Sequence, residues 1–262
     1  MMRPQSIHHP LWVQWAQQNP HQTALDTSNR DYTWLQVSVL VSEYQQQLSH
    51  QGLSEGDVLT IVGKNQAEVI PVYLAALNLG VVCAFTMPQP TARLMQKLEY
   101  LYDSPDRRYL WLLDSCGLDH SDAVDLSAIL VALPCLNEVK VDDDDKPVAT
   151  PESLHFNPQS LASIVFTSGS TGTPKAVAHT LQQHLCSAGG LLEVFRYQQA
   201  DTWLLSLPMY HVSGLAIIHR WLAAGGCIKI GSGQLETDIE ECSHASLVAT
   251  QLHRLLKSKQ AL

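Results

Sequence analysis

Apolar positions along the chain fall into short runs divided by polar punctuation, and their period switches between helical and strand-like in a repeating order. Leu11, Trp12, Trp15 and Ala16 mark an amphipathic helix over 11–18 that stops at Asn19-Pro20. Thr23-Ala24-Leu25 and Tyr32-Thr33-Trp34 flank a turn-rich segment and predict a small hairpin. Thr33 then caps a helix with apolar residues at Leu35, Val39, Leu40, Tyr44 and Leu48, closing at Gly52. From Val58 the chain alternates, with strands expected over 58–62, 81–86, 109–113 and 137–141 and helices over 67–79, 91–102 and 121–133. Alternation of this kind predicts an α/β fold of mostly parallel sheets flanked by helices.

The Asp-, Pro- and Ser-rich stretch over 142–160 reads as a linker, dividing a first α/β subdomain at 1–150 from a second at 151–262. In the second, Ile164 to Phe166 form a buried strand. Thr180 and Gln183 make a capping box for a helix with Leu181, Leu185, Ala188, Leu192 and Phe195 on its apolar face. Gly189-Gly190 would let another element approach that helix closely. Strands over 203–207 and 227–230 and helices over 215–224 and 251–256 complete the order.

With 262 residues, 45% of them hydrophobic, the chain can bury a sizeable core. Its 16 Lys and Arg against 25 Asp and Glu give a net charge of -9 with no basic cluster, which argues against nucleic acid and anionic membranes as partners. Asp142 to Asp145 lack the alternating spacing of a calcium loop and read as a solvated run. Six scattered cysteines without a CxxC pair read as thiols of a reducing compartment, and no residue is assigned to a metal. Residues 1–10 lack the apolar core of a secretory signal, and no run is long enough to span a bilayer, so the expected location is the cytoplasm.

The densest chemistry lies between Thr167 and Lys175. Gly169 and Gly172 can turn consecutive N–H groups into one concavity, Ser168, Ser170 and Thr171 add hydroxyl donors, and Lys175 adds a point charge. An ordinary P-loop is excluded, because Thr173-Pro174 separate Gly172 from Lys175 and Ala176 follows. By composition alone, a flexible loop with no ligand is an equal reading.

The order of residues separates the two. Thr-Ser-Gly-Ser-Thr-Gly-Thr-Pro-Lys resembles the phosphate-binding signature of the adenylate-forming superfamily of acyl-CoA synthetases, luciferases and peptide-synthetase adenylation domains. Leu207 to Gly214 resembles that superfamily's second core motif, where an aromatic residue or histidine lines the acyl pocket. Trp203 to Pro208, His211 to Gly214, Arg220 to Gly225, Ser246 to Leu252 and His179-Thr180 together resemble the o-succinylbenzoate-CoA ligases of menaquinone biosynthesis.

The resemblance implies ATP-dependent adenylation of a carboxylic acid followed by thioester formation, with ATP, Mg2+ and CoA as cosubstrates of the complete enzyme. It implies that Thr167, Ser168, Gly169, Ser170, Thr171, Gly172 and Lys175 hold the phosphates, that Lys175 and His211 act in catalysis, and that His211, Ser213, Gly214 and Arg220 face the acid. Arg220 reads either as a two-pronged partner for a second carboxylate or as half of a structural salt bridge. A ligase for a fatty or aryl acid and a non-catalytic nucleotide-binding module are the alternatives. The motifs that hold adenine, ribose and the catalytic lysine of the C-terminal domain are not among these residues. The expectation is therefore an N-terminal portion, inactive alone, with an exposed sheet edge that favours a homo-oligomer.

Overall fold

The computed structural model describes residues 9–113, 116–118, 120–141, 155–168 and 174–260. The first helix, α1 (Leu11–Gln18), buries Trp12, Val13 and Ala16. β1 (Thr23–Asp26) and β2 (Asp31–Thr33) form the expected antiparallel hairpin. Thr33 caps α2 (Trp34–His50): its hydroxyl accepts from the Gln36 N–H, and the Gln36 side chain accepts from the Thr33 N–H at 3.0 Å. Two groups bared by helix geometry are thereby satisfied.

β3 (Val58–Val62), α3 (Val69–Leu79), β4 (Val82–Thr86), α4 (Thr91–Leu101) and β5 (Tyr109–Leu112) follow in the predicted order. The next two elements depart from it. The helix expected over 121–133 shortens to α5 (His120–Asp125), and the chain turns at Ser127, φ 49°, into β6 (Ile129–Leu130) beside β5. The strand expected over 137–141 is instead a 3-10 turn, Leu136–Glu138, whose Glu138 carboxylate accepts from the Cys135 N–H at 3.0 Å. Such short apolar runs do not distinguish helix from strand by period.

β7 (Leu161–Ser168) lies parallel to β4, and β8 (Pro174–Thr180) returns antiparallel to β7, a strand that the sequence pattern did not predict. α6 (Leu181–Leu192) starts at the Thr180–Gln183 capping box. It buries Leu181, Leu185 and Ala188, but Phe195 lies beyond its end and is 59% exposed. A side chain at Gly189 or Gly190 would meet nothing within 4 Å, so no element among the described residues packs closely there. Then come β9 (Thr202–Leu204), α7 (Val212–Ala224), β10 (Cys227–Lys229), α8 (Leu235–Asp238), β11 (His244–Ala245) and α9 (Ala249–Gln260).

Two sheets result, ordered β6-β5-β3-β4-β7-β8 and β11-β9-β10-β1-β2. Apart from the β1–β2 and β7–β8 pairs their ladders are parallel. Strands from both sides of residue 150 enter each sheet, so a division at that position does not follow the sheets. Asp142 to Asp145 and the rest of 142–154 lie outside the described residues, whereas Phe156, at the end of the expected linker, packs edge-on against Trp12. The core joins the sheets through stacked Trp34 and Trp221, with ring centroids 4.7 Å apart. Among the described residues no helix is long and apolar enough to cross a membrane, and all six cysteines are free thiols.

Candidate functional site

β7 and β8 carry the stem of the predicted phosphate loop. Thr167 pairs with Lys175 and Ser168 with Pro174, so the two ends of the loop are held one strand spacing apart. Gly169, Ser170, Thr171 and Gly172 lie outside the described residues. Thr167 and Lys175 are exposed at the hairpin's open end. β3, β4 and β7 are parallel neighbours, so this stem extends from the carboxyl edge of a parallel sheet, where α/β proteins place their ligands.

The segment carrying His211 is fastened by a residue that pattern reading missed. Asn65, just beyond β3, donates from its amide to the carbonyls of Leu207 at 2.9 Å and Leu205 at 3.3 Å, and its carbonyl accepts from the Met209 N–H at 2.8 Å. An asparagine three residues past a strand gives no sequence signal for such a bridge across 140 residues. The turn brings Tyr210 and His211 together edge to face at 4.9 Å and ends in α7. Gly214 is required there: a Cβ would sit 2.1 Å from the Pro208 carbonyl oxygen. His211 stands at the N-cap of α7 with its side chain exposed, and the N–H groups of Gly214 and Leu215 donate to its carbonyl at 3.0 and 3.3 Å.

α7 starts with His211 at its cap and carries Arg220 nine residues later, about 13 Å along the axis and on the opposite side. Arg220 shares its side with Ser213, seven residues earlier. Its Nη1 donates to Ser246 Oγ at 3.3 Å, and its guanidinium carbon lies 5.2 Å from the Trp203 ring centroid. No acid pairs with Arg220 among the described residues, and Nε is buried without a hydrogen-bond partner. The structural salt bridge expected as one reading of this residue is not formed there. Ser206 Oγ donates to the Ser246 carbonyl, and Gln251 Nε2 donates to the Ser206 carbonyl at 3.2 Å. A wall of polar side chains thus runs from Arg220 through Ser246 and Ser206 to Gln251. No hydrogen bond or ring contact joins this wall or His211 to Lys175 among the described residues.

Between hairpin and helix runs a column of buried imidazoles. Ser163 Oγ on β7 meets His184 Nε2 on α6 at 2.7 Å, and His184 stacks on His219 of α7 with centroids 4.0 Å apart and planes at 6°. His219 Nδ1 lies 2.7 Å from the Leu215 carbonyl, which can only accept, so Nδ1 carries the proton and Nε2 accepts from the Tyr73 hydroxyl at 3.0 Å. Burial lowers the His184 pKa to about 4, with His179 adding to the effect. The same cause, reinforced by His184, holds His219 well below its ordinary value. The column is neutral at physiological pH and fixes α7 against the hairpin stem.

A cavity of 330 Å³ elsewhere, lined among others by Tyr32, Glu68, Trp111, Cys135 and Ile230, includes none of the predicted site residues. A crevice of 10 Å³ lined by Gly63, Lys64, Thr86, Met209 and Tyr210 lies against the turn that carries His211. The described residues hold no cluster of His, Cys, Asp or Glu able to bind a metal ion.

The chain matches the model of the AMP-binding enzyme family over residues 12–262. It is 32% identical over 255 residues to the 2-succinylbenzoate-CoA ligase of Escherichia coli K12, covering 96% of this chain and 51% of that protein. The chain therefore spans about half the length of the curated relatives it matches. Wild-type Escherichia coli MenE with a bound phenylether-linked analogue of OSB-AMS superposes with a TM-score of 0.76 at 29% identity, over 96% of this chain and 52% of that one. Bacillus subtilis MenE in complex with ATP and magnesium shares the fold, with a TM-score of 0.77 at 23% identity, over 95% of this chain and 51% of that one.

Proposed function

We propose a function from one premise: the chain belongs to the AMP-binding enzyme family. It supplies the phosphate loop and one wall of the acid pocket for an AMP-forming acid-CoA ligase acting on o-succinylbenzoate, with ATP, Mg2+ and CoA as cosubstrates. The substrate carboxylate attacks the α-phosphorus of ATP, the bond to pyrophosphate breaks, and an acyl-adenylate forms; the CoA thiolate then attacks the acyl carbon and AMP leaves. A carboxylate needs no general base for the first step, so the protein's part is positioning and charge stabilisation. Thr167 to Gly172 would cradle the phosphates with Lys175 at their rim. Mg2+, when bound, would share the charge that develops on the phosphates.

His211, Ser213 and Gly214 would line the acid pocket, with His211 packing against the reacting carboxylate. Arg220 carries the choice of acid. A half-buried guanidinium with no carboxylate partner among the described residues and an unpartnered Nε suits a substrate's second carboxylate. The 2-succinylbenzoate-CoA ligase relatives act on such a dicarboxylate by their names. We place the protein in the cytoplasm.

The test joins this chain to the remaining half found in its relatives and measures acid-dependent CoA thioester formation, with benzoate and a fatty acid as competitors. O-succinylbenzoate should be preferred, and Arg220→Ala should raise its KM roughly 10- to 100-fold, the range for losing a charged hydrogen bond, while leaving benzoate unaffected. Turnover that ignores o-succinylbenzoate, or an Arg220→Ala enzyme with an unchanged KM, would overturn the substrate assignment.

A further inference from the structure

Lys97 is 7% exposed, yet no acid among the described residues balances it. It projects from α4 onto the face of the six-stranded sheet opposite the imidazole column. Its ammonium donates to Thr86 Oγ1, at the carboxyl end of β4, and stands 4.6 Å from the centroid of the Phe166 ring on β7. Thr86 Oγ1 also accepts from Gln89 Nε2 at 3.0 Å, so two donors meet one oxygen, and among the described residues the ammonium donates to no other acceptor. Thr86 borders the crevice shared with Met209 and Tyr210, beside the turn of His211.

Among the described residues the surroundings contain no compensating charge. α4 itself carries Arg93, Glu99 and the exposed Tyr100, β4 carries Cys83, β7 carries no ionisable side chain, and β8 carries Lys175 and His179. None of these pairs with the ammonium, and the loop residues 169–173 add no ionisable group. Burial alone lowers the Lys97 pKa to about 8, so at neutral pH the charge is present and uncompensated. Phe166 lies two residues before the end of β7 at Ser168, about 7 Å at strand rise, so the cation stands beside the described stem of the loop.

We propose that Lys97 is a positioning residue of the phosphate site, a buried cation that holds the root of the hairpin through Phe166 and supplies positive potential to the polyphosphate in the loop. The inference rests on the nucleotide reading of that loop.

Titration of the purified chain with Mg·ATP from about pH 6.5 to about pH 9.5 tests it. Wild-type affinity should fall about tenfold as the pH rises through about 8, the size that losing one charge has at a separation of about 10 Å and an effective dielectric near 20. Lys97→Met should bind about tenfold more weakly at neutral pH and show no step. Lys97→Gln, which keeps a donor toward Thr86 without the charge, should behave like Lys97→Met, and Lys97→Arg should retain affinity and remove the alkaline loss. Equal affinities for wild type and Lys97→Met, or an alkaline step that survives in Lys97→Met, would overturn the inference alone. A wild-type chain that binds no nucleotide would overturn the loop reading and this inference with it. Thermal unfolding of each variant confirms that a folded protein was titrated.

Discussion

The two faces of β7 bury ionisable groups in opposite ways. Ser163 and Val165 point toward α6 and α7, where His184 and His219 are buried as neutral rings in hydrogen bonds. Ile164 and Phe166 alternate to the other face, where Lys97 is buried as a cation beside a hydroxyl and a ring. The imidazole face avoids charge and serves packing. The lysine face retains a charge that packing alone does not explain. A buried group kept ionised without a counter-ion near a sheet's carboxyl edge has the character of a functional residue.

Acid should break the imidazole face first and hardest. The His184 pKa is lowered from 6.5 to about 4 in the folded chain, so the unfolded chain binds the extra proton. The stability contributed is complete above pH 6.5 and is lost as the pH falls toward 4, about 3 kcal/mol for His184 by the per-unit conversion. His219 shifts in the same direction and adds to the loss. Urea denaturation across that window should show it, and replacing both histidines with phenylalanine should flatten the slope. A slope that survives the double replacement would place the proton uptake elsewhere.

Lys97 obeys the same sign in another window. Its pKa falls from 10.5 to about 8, so folding is penalised fully below 8 and not at all above 10.5. Lys97→Met should therefore stabilise the fold at neutral pH by about 1–3 kcal/mol, and the gain should vanish above about pH 10. A variant more stable yet weaker in nucleotide binding is the signature of a residue kept for function. Destabilisation at neutral pH would instead mean that the ring contact and the hydroxyl outweigh the burial cost.

This contrast also marks what the sequence could disclose. The hairpin, the cap at Thr33, the capping box at Thr180 and most alternating elements were legible because their signals are local. The stem of the Thr167–Lys175 segment and the turn that carries His211 were legible as ordered strings, and their roles stand as proposals. Asn65, Lys97 and the stacked histidines were not, because each acts on residues distant in the chain and has no period or motif of its own. Lys97 sits in a helix whose next residue, Leu98, is fully buried, so nothing in the pattern separates a surface lysine from a buried one. β8 escaped because Ala176, Val177 and Ala178 are exposed on an edge strand and show no apolar alternation.

The smallest effect tests how the imidazole face stays neutral. Tyr73→Phe removes the hydroxyl that donates to His219 Nε2 and leaves a fully buried acceptor unmatched. Losing such a partner costs about 1–3 kcal/mol, partly offset because phenylalanine keeps the ring that packs edge-on to His219 at 5.7 Å. The net loss should be near 1 kcal/mol at pH 7. Without its donor Nε2 becomes the readier proton acceptor, so the His219 pKa should rise and the loss should shrink toward acid. Nitrogen chemical shifts of the His219 ring would report this directly. An unchanged shift in Tyr73→Phe would mean that Tyr73 does not hold the tautomer, and that the stack and the Leu215 carbonyl suffice.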